Sequence, residues 1–202
     1  MADAVLVNPS GYKLINDQTL PLGLLYTAIF AHKEFDIKLI DDRVESDWKS
    51  KLISELKKEP KIVGVTSLTG KQILSALEVS KIVKENSNAL MLWGGIHASL
   101  LPKQTLENKY IDIIIEGEGE FTFYELMKAL EKNKSLKEIK GLWYKKDGKI
   151  NSNPKRPLLN LDTLPIPPYH LIDIKKYVQV RKTRDYRPSI NLMTSRGCPN
   201  KC

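Results

Sequence analysis

Residues 61–99 read KIVGVTSLTGKQILSALEVSKIVKENSNALMLWGGIHAS and contain the repeating unit of the fold. Two short apolar runs, residues 61–67 and 89–95, are rich in aliphatic residues and are typical of buried strands. Residues with helical spacing lie between them: Leu74, Leu77 and Val83. The stretch predicts a strand, a crossover helix and a second strand parallel to the first.

The same alternation continues in both directions. Three further apolar runs have the character of buried strands: residues 4–8, 35–41 and 111–117. Helical spacing separates them, with a helix expected behind Asp47 and only a weak helix after residue 97, which Pro102 interrupts. Right-handed crossovers place helices on both faces of a parallel sheet. We therefore predict an α/β fold, a doubly wound five-stranded parallel sheet of Rossmann-like type.

The pattern changes after residue 130. Residues 141–150 read GLWYKKDGKI and predict a β-hairpin that turns at Asp147-Gly148. The following residues predict an extended connector, because five prolines occur within 15 positions: Pro154, Pro157, Pro165, Pro167 and Pro168. We predict three parts, residues 1–135, 136–187 and 188–202, of which the last is the first strand of a further domain.

The net charge of +8 is concentrated in the last third of the 202-residue chain. Residues 1–130 carry 15 Lys/Arg against 18 Asp/Glu, whereas residues 131–202 carry 17 against 6. The α/β domain therefore lacks the basic surface of a nucleic-acid-binding protein. The basic run at residues 181–187 is compatible with an RNA contact or with a face that packs on another domain, and we do not expect a nucleic-acid partner.

No apolar stretch reaches the length of a membrane helix, and residues 1–4 do not resemble a secretory signal. We expect a cytoplasmic protein without a membrane partner. The two cysteines, Cys198 and Cys202, exclude a disulfide-stapled fold.

Ligands of doubly wound sheets bind outside the carboxyl ends of the strands. In this chain those ends are small, polar and rich in glycine. Gly94 and Gly95 would let a large ligand approach the backbone, and the hydroxyls of Thr66, Ser67 and Thr69 would donate to its polar atoms. Turn geometry alone also explains the residues at any one of the turns that follow the strands. Five such polar, glycine-rich turns at one edge of the sheet favour a ligand site.

Several ligand classes are disfavoured at this edge. Residues 116–120 read EGEGE, which opposes phosphate, and no G-x-G-x-x-G or P-loop follows the first strand. We therefore expect neither a dinucleotide nor a nucleoside triphosphate. His97 follows the fourth strand and is compatible with a metal ligand, a general base or a turn residue. No second ligand stands at metal spacing beside it, so we do not expect a metal there.

The last nine residues, TSRGCPNKC, place Cys198 and Cys202 four positions apart after a strand-like segment. They are either unrelated thiols or the start of a C-x-x-x-C-x-x-C motif whose third cysteine would fall at position 205. The segment resembles the cluster motif of radical S-adenosylmethionine enzymes, where three thiolates hold a [4Fe-4S] cluster.

Other segments extend the resemblance over nearly the whole chain: NPS at 8–10, PLGLLYTA at 21–28, GGIHAS at 94–99, EGEGE at 116–120 and LDTLPIPPYHLID at 161–173. Together they resemble the cobalamin-binding radical S-adenosylmethionine family, which includes methyltransferases and the anaerobic cyclase of porphyrin-ring formation.

The resemblance implies a flavodoxin-like cobalamin domain, a connector, and a barrel that carries the cluster and S-adenosylmethionine and lies outside the given chain. It implies that Cys198 and Cys202 are cluster ligands. It also implies a set of cobalamin-binding residues: Asn8, Pro9, Ser10, Leu22, Gly23, Asp41, Thr66, Ser67, Leu68, Thr69, Gly94, Gly95, His97, Ala98, Glu116, Gly117, Glu118, Gly119 and Glu120.

One element of classical cobalamin enzymes is absent. The Asp-x-His-x-x-Gly sequence does not follow the first strand, where Asn8-Pro9-Ser10-Gly11 stands instead. A cobalamin bound here should therefore lack a histidine lower ligand at that position. The function expected from the resemblance is the cobalamin-binding portion of an enzyme for methyl transfer or radical cyclisation, which by itself does not turn over substrate. The alternative is a non-catalytic α/β binding or docking module.

Overall fold

The computed structural model describes residues 2–11, 19–180, 188–198 and 200. The basic run 181–187 therefore lies outside the described residues. The strands are β1 Ala4–Asn8, β2 Ile37–Asp41, β3 Ile62–Thr66, β4 Leu90–Gly94, β5 Ile113–Ile115, β6 Leu142–Lys146, β7 Lys149–Ser152, β8 Gln179–Val180 and β9 Pro188–Ser189. The α-helices are α1 Leu22–Thr27, α2 Trp48–Leu56, α3 Lys71–Asn86, α4 Ile96–Leu100, α5 Pro102–Leu106 and α6 Glu120–Glu131. Short 3-10 helices span Ala31–Lys33, Leu161–Thr163, Tyr169–Leu171 and Ile174–Tyr177.

The main sheet has the order β2-β1-β3-β4-β5-β6-β7, and its first five strands are parallel. The prediction of a doubly wound five-stranded parallel sheet is thus confirmed. From β1 the chain passes to β2 on one side of β1 and then crosses back to β3 on the other side. The strand order therefore reverses between β1 and β3. A crevice at the carboxyl ends of these strands is the expected ligand position.

The predicted hairpin is also confirmed, and it extends the same sheet. β6 pairs antiparallel with β5 and with β7. The turn has positive φ at both central residues, 51° at Asp147 and 72° at Gly148, as a two-residue hairpin turn requires. The sheet therefore continues past residue 135, and the division into domains at that residue stays a prediction.

Two apolar layers cover the sheet. Successive residues of β1 point to opposite faces, with Ala4 and Leu6 on the α1 and α6 side and Val5 and Val7 on the side of α2 to α5. All five residues of β1 are buried, as expected of a central parallel strand.

Two details of the helices differ from the sequence pattern. Leu74 is 69% exposed, because α3 turns Ala76, Val79, Ser80 and Val83 toward the sheet. Asp47 is the N-cap residue of α2, but its side chain pairs with Lys51 at 3.2 Å and makes no capping hydrogen bond. The break at Pro102 is confirmed, since it begins α5 directly after α4.

The connector packs back onto the α/β domain. Tyr177 is buried with Leu20, Leu22 and Leu25, and its hydroxyl donates to Asp41 Oδ2 at 3.0 Å. Burial and the negative charge of Asp41 raise the pKa of Tyr177 well above its usual value, so the hydroxyl stays a proton donor. This contact fixes the connector beside the carboxyl end of β2. In the described part of the chain, no helix is long and apolar enough to cross a membrane.

Tyr177→Phe should lower the free energy of unfolding by about 1–3 kcal/mol, because it removes a hydrogen bond to a buried carboxylate. Urea denaturation measures this change. Tyr169→Phe is the matched control, since it removes the hydroxyl of another tyrosine packed on the same cluster. Equal effects of the two substitutions would show that the Asp41 contact contributes nothing.

Candidate functional site

A cleft of about 410 Å³ opens at the carboxyl edge of the sheet, between α1 and α6. Its floor is the sheet surface at β1, β3, β4 and β5, formed by Leu6, Gly64, Leu92 and Ile115. Its walls come from α1, the β4–α4 turn, the β5–α6 turn and the segment near residue 196. The volume lies within the range of about 300–1,000 Å³ that is typical of small-molecule sites.

Gly64 makes room for the cleft at its floor. It pairs across the sheet with Leu6 on one side and Leu92 on the other. A Cβ at this position would lie 2.8 Å from Leu6 Cδ2 and 3.4 Å from Leu92 Cδ2. Glycine in a central strand is otherwise unfavourable, and here its absent side chain lets the neighbouring leucines form a low apolar floor.

Further glycines keep the walls open. A Cβ at Gly23 or Gly117 would meet no atom within 4 Å, and one at Gly94 would only reach Val65 O at 4.0 Å. All three residues line the cleft. A side chain at Gly23 or Gly94 would therefore meet open space, whereas one at Gly117 would be strained by its φ of +82°.

Gly95 has a different role. Its φ is +88°, and a Cβ there would lie 2.7–2.8 Å from Ser67 O, Ser67 N and Thr66 Oγ1. The loops after β3 and β4 meet at this point: Ser67 N and Oγ donate to Gly94 O at 2.9 and 2.8 Å, and His97 N donates to Ser67 O at 3.0 Å. Only glycine permits this approach.

The structure brings together one part of the predicted site. The cleft lining includes Gly23, Thr66, Gly94, Gly95, Gly117, Glu118, Gly119 and Glu120. Of the three hydroxyls that we expected to donate to a ligand, Thr66 is the one in the cleft. Ser67 is 1% exposed and holds Gly94 O, and Thr69 Oγ1 lies 3.1 Å from His97 Nδ1.

The remaining predicted residues lie outside the cleft lining: Asn8, Pro9, Ser10, Leu22, Asp41, Ser67, Leu68, Thr69, His97, Ala98 and Glu116. Asp41 is buried and accepts hydrogen bonds from Asn8, Arg43 and Tyr177. Ser10 donates to Asp42. Leu22 packs beside Tyr177, and Ala98 packs in the core. The hydrogen bonds of Asn8, Ser10 and Asp41 hold the ends of β1 and β2 and the connector together. A cobalamin contact by the residues outside the cleft lining stays a prediction.

The three glutamates of residues 116–120 each have a cationic partner. Glu116 accepts from Trp143 Nε1 at 2.7 Å and pairs with Lys155 at 2.7 Å. Burial opposes its ionisation, but these two hydrogen bonds outweigh it and lower the pKa of Glu116. Glu118 and Glu120 pair with Arg196 at 3.2 and 2.6 Å. The acidic corner is therefore largely neutralised within the chain.

Sequence reasoning missed several lining residues: Leu6, Leu24, Tyr26, Thr27, Gly64, Val65, Leu92, Ile96, Ile115, Met193 and Arg196. Gly64 carried a usable signal, because a lone glycine inside an apolar strand marks a close approach. The apolar residues are indistinguishable from ordinary core residues in the sequence.

The prediction that Cys198 and Cys202 bind a metal cluster stays a prediction. Cys198 is exposed, and Cys202 lies outside the described residues. No cluster of three or more His, Cys, Asp or Glu residues suited to a metal occurs in the part of the chain that was described. All three histidines are described, and none lines the cleft.

A doubly wound sheet with a glycine-lined apolar cleft at its switch point defines a flavodoxin-like ligand-binding domain. The comparisons with known proteins specify its kind. The model of the B12 binding domain family matches residues 15–127. The chain belongs to this family.

The chain is also similar to two curated relatives from other organisms. The chain is 42% identical to the uncharacterized methyltransferase PH0819 of Pyrococcus horikoshii, over 90% of its length and 39% of the relative. It is 33% identical to the anaerobic magnesium-protoporphyrin IX monomethyl ester cyclase of Cereibacter sphaeroides, over 83% of the chain and 28% of the relative. The chain thus spans less than half the length of these curated relatives.

Among solved structures, the chain resembles the cobalamin-dependent S-adenosylmethionine radical enzyme OxsB with aqua-cobalamin and S-adenosylmethionine bound. The TM-score is 0.71 at 25% identity, and the match covers 96% of this chain and 27% of OxsB.

Gly95→Ala should lower the free energy of unfolding by about 1–3 kcal/mol, because the new methyl group meets backbone atoms at a positive φ. Chemical denaturation checks this. Gly94→Ala is the matched control and should change stability by no more than about 0.5 kcal/mol. The described packing of the β3 and β4 loops would be contradicted if Gly95→Ala were as stable as Gly94→Ala.

Proposed function

We propose that the cleft between α1 and α6 receives the nucleotide tail of cobalamin, and that the chain is the cobalamin-binding part of a radical S-adenosylmethionine enzyme. The observation that carries the proposal is the glycine-lined cleft at the switch point of a B12 binding domain. Membership of the family, the relatives and the cobalamin-bound structural neighbour support it.

The residues present fit this group. The dimethylbenzimidazole base of the tail is flat and apolar, and the floor of Leu6, Leu92 and Ile115 offers it an apolar surface. The cleft is smaller than whole cobalamin, so the corrin ring would lie at the mouth. Ile96, which lines the cleft, is 61% exposed and offers an apolar contact there.

Polar groups in the cleft would orient the tail. Thr66 Oγ1 can donate to or accept from it, and the carboxylates of Glu118 and Glu120 can accept from its hydroxyl or amide groups. The chain's own contribution is to bind the tail, exclude water from the apolar floor and hold the corrin in one orientation. When bound, cobalamin supplies a cobalt centre that can carry a methyl group.

The cluster and its substrate belong to the same proposal. Cys198 and Cys202 would be two ligands of a [4Fe-4S] cluster that binds S-adenosylmethionine in a barrel following this chain. Similarity to the S-adenosylmethionine radical enzyme OxsB supports this assignment. The relatives named as a methyltransferase and a cyclase leave methyl transfer and radical cyclisation as alternative reactions for the complete protein.

Hydroxocobalamin titration of the purified chain tests the binding site. Wild-type protein should bind one equivalent, seen as a spectral shift and as co-elution on gel filtration. Gly23→Leu should weaken binding by at least about tenfold, because Gly23 lines the cleft and a four-carbon side chain there would occupy space that the ligand needs.

Gly23→Ala is the matched control and should bind within about threefold of wild type, since one methyl group takes little of the cleft. Thermal unfolding should show both variants folded. Equal affinity of Gly23→Leu and wild type would place cobalamin elsewhere. A folded wild-type chain that binds no cobalamin would favour the alternative of a docking module.

A further inference from the structure

Arg196 connects the segment that carries Cys198 to the wall of the cleft. Its guanidinium pairs with Glu120 at 2.6 Å and with Glu118 at 3.2 Å. It also lies over the ring of Tyr26, 4.5 Å from the centroid. The arginine side chain is only 19% exposed, and Glu120 is 4% exposed. Contacts of this kind are stronger than those of a surface ion pair, because water screens them less.

The three partners of Arg196 come from separate parts of the domain. Tyr26 is on α1, Glu118 is in the β5–α6 turn, and Glu120 is the first residue of α6. α1 and the start of α6 are the two walls of the cleft. Arg196 therefore contacts the α1 wall and the α6 wall of the cleft. It stands two residues before Cys198.

Glu120 has a second feature. One of its carboxylate oxygens holds Arg196, whereas Oε2 is buried and has no hydrogen-bond partner within the described part of the chain. A buried carboxylate oxygen without a donor costs free energy. Glu120 also lines the cleft, so the ion pair with Arg196 holds one oxygen of a carboxylate that borders the ligand site.

We propose that Arg196 is a positioning residue that couples occupancy of the cobalamin cleft to the placement of the cysteine-bearing segment, with Glu120 as the shared carboxylate. This inference rests on the proposed function. Arg196 and Glu120 both line the cleft, and their ion pair fixes the orientation of each beside the ligand. A ligand that packs against this pair in turn holds Glu120 in the orientation that retains Arg196.

The coupling is reciprocal by thermodynamic linkage. If Arg196 strengthens cobalamin binding, bound cobalamin must strengthen the attachment of the segment by the same factor. Loss of Arg196 would also leave Glu118 and Glu120 facing the cleft without their shared cation. The arrangement provides a way to hold a cluster-ligand segment close to the bound cobalamin.

The first measurement follows the segment without any ligand. A nitroxide label on Cys198, in a Cys202→Ser background, reports local mobility by electron paramagnetic resonance. The exposed position of Cys198 makes it suitable for labelling. The spectrum should show a restrained label in the parent protein and a several-fold more mobile label in Arg196→Met. The double substitution Glu118→Gln with Glu120→Gln should also make the label more mobile, because it removes the carboxylate partners of Arg196.

The second measurement is the affinity for hydroxocobalamin. Arg196→Met should weaken binding about tenfold, the factor that corresponds to one charge-assisted hydrogen bond. The effects of Arg196→Met and Glu120→Gln should be non-additive when combined, as expected of residues that act through one contact. Added hydroxocobalamin should restrain the Cys198 label further in the parent protein but not in Arg196→Met.

Lys155→Met is the matched control, because it removes the cation from Glu116 in the same acidic sequence, outside the cleft lining. It should change neither the label mobility nor the affinity. Equal label mobility in the parent protein and Arg196→Met would overturn the attachment. Unchanged or tighter cobalamin binding by Arg196→Met would overturn the coupling. Failure of the parent protein to bind cobalamin would instead overturn the proposed function, and the label spectra without ligand would still test the attachment.

Discussion

The close approach of the β3 and β4 loops at Gly95 is the constraint on which the site depends. The backbone of Ser67 occupies the space of a side chain at residue 95, and its hydroxyl and amide both hold Gly94 O. This contact draws the two loops together and keeps the crevice beside them clear. A second glycine, Gly64, lowers the sheet surface between two leucines. The cleft thus exists because glycines leave side-chain space empty in a backbone that hydrogen bonds hold in place. Such a cleft is already formed before a ligand binds.

Electrostatics connects this cleft with the rest of the chain. The acidic first part and the basic last third are complementary. Among the described residues, the ion pairs that join them at the carboxyl edge include Glu45 with Lys176, Glu116 with Lys155, and Glu118 and Glu120 with Arg196. The net charge of +8 is therefore partly an internal feature of the fold. Together with Tyr177, these pairs hold the connector and the segment near residue 196 against the edge where the cleft opens. The exposed pairs contribute little stability by themselves, whereas the partly buried Arg196 contact can determine an orientation.

Local sequence patterns predicted the elements that depend on local physics. The buried strands, the break at Pro102 and the turn at Asp147-Gly148 follow from hydrophobic runs and backbone preferences. The edge that carries the site followed from topology, because parallel strands end on one side. The glycines at 94 and 95 were identified because few other residues tolerate such turns. Gly94 is open to the cleft, whereas backbone atoms fill the side-chain space of Gly95. This difference could be seen only in the three-dimensional structure.

The remaining features depend on contacts between distant positions. Asp41 was predicted to contact the ligand. Its carboxylate accepts a hydrogen bond from Tyr177, 136 positions away. Arg196 joins Glu120 across 76 positions, and Leu74 is exposed because the sheet contacts another face of α3. No periodicity encodes such pairings. Ser67 was identified as part of the site, yet its hydroxyl is used by the neighbouring loop.

We propose that the cleft between α1 and α6 holds the nucleotide tail of cobalamin. A crystal structure of the chain grown with hydroxocobalamin would show whether it does. Electron density for the dimethylbenzimidazole group is expected over Leu6, Gly64 and Leu92, with the corrin ring at the mouth beside Gly94 and Gly95. Cobalamin bound at another surface, with this cleft left empty, would contradict the proposal.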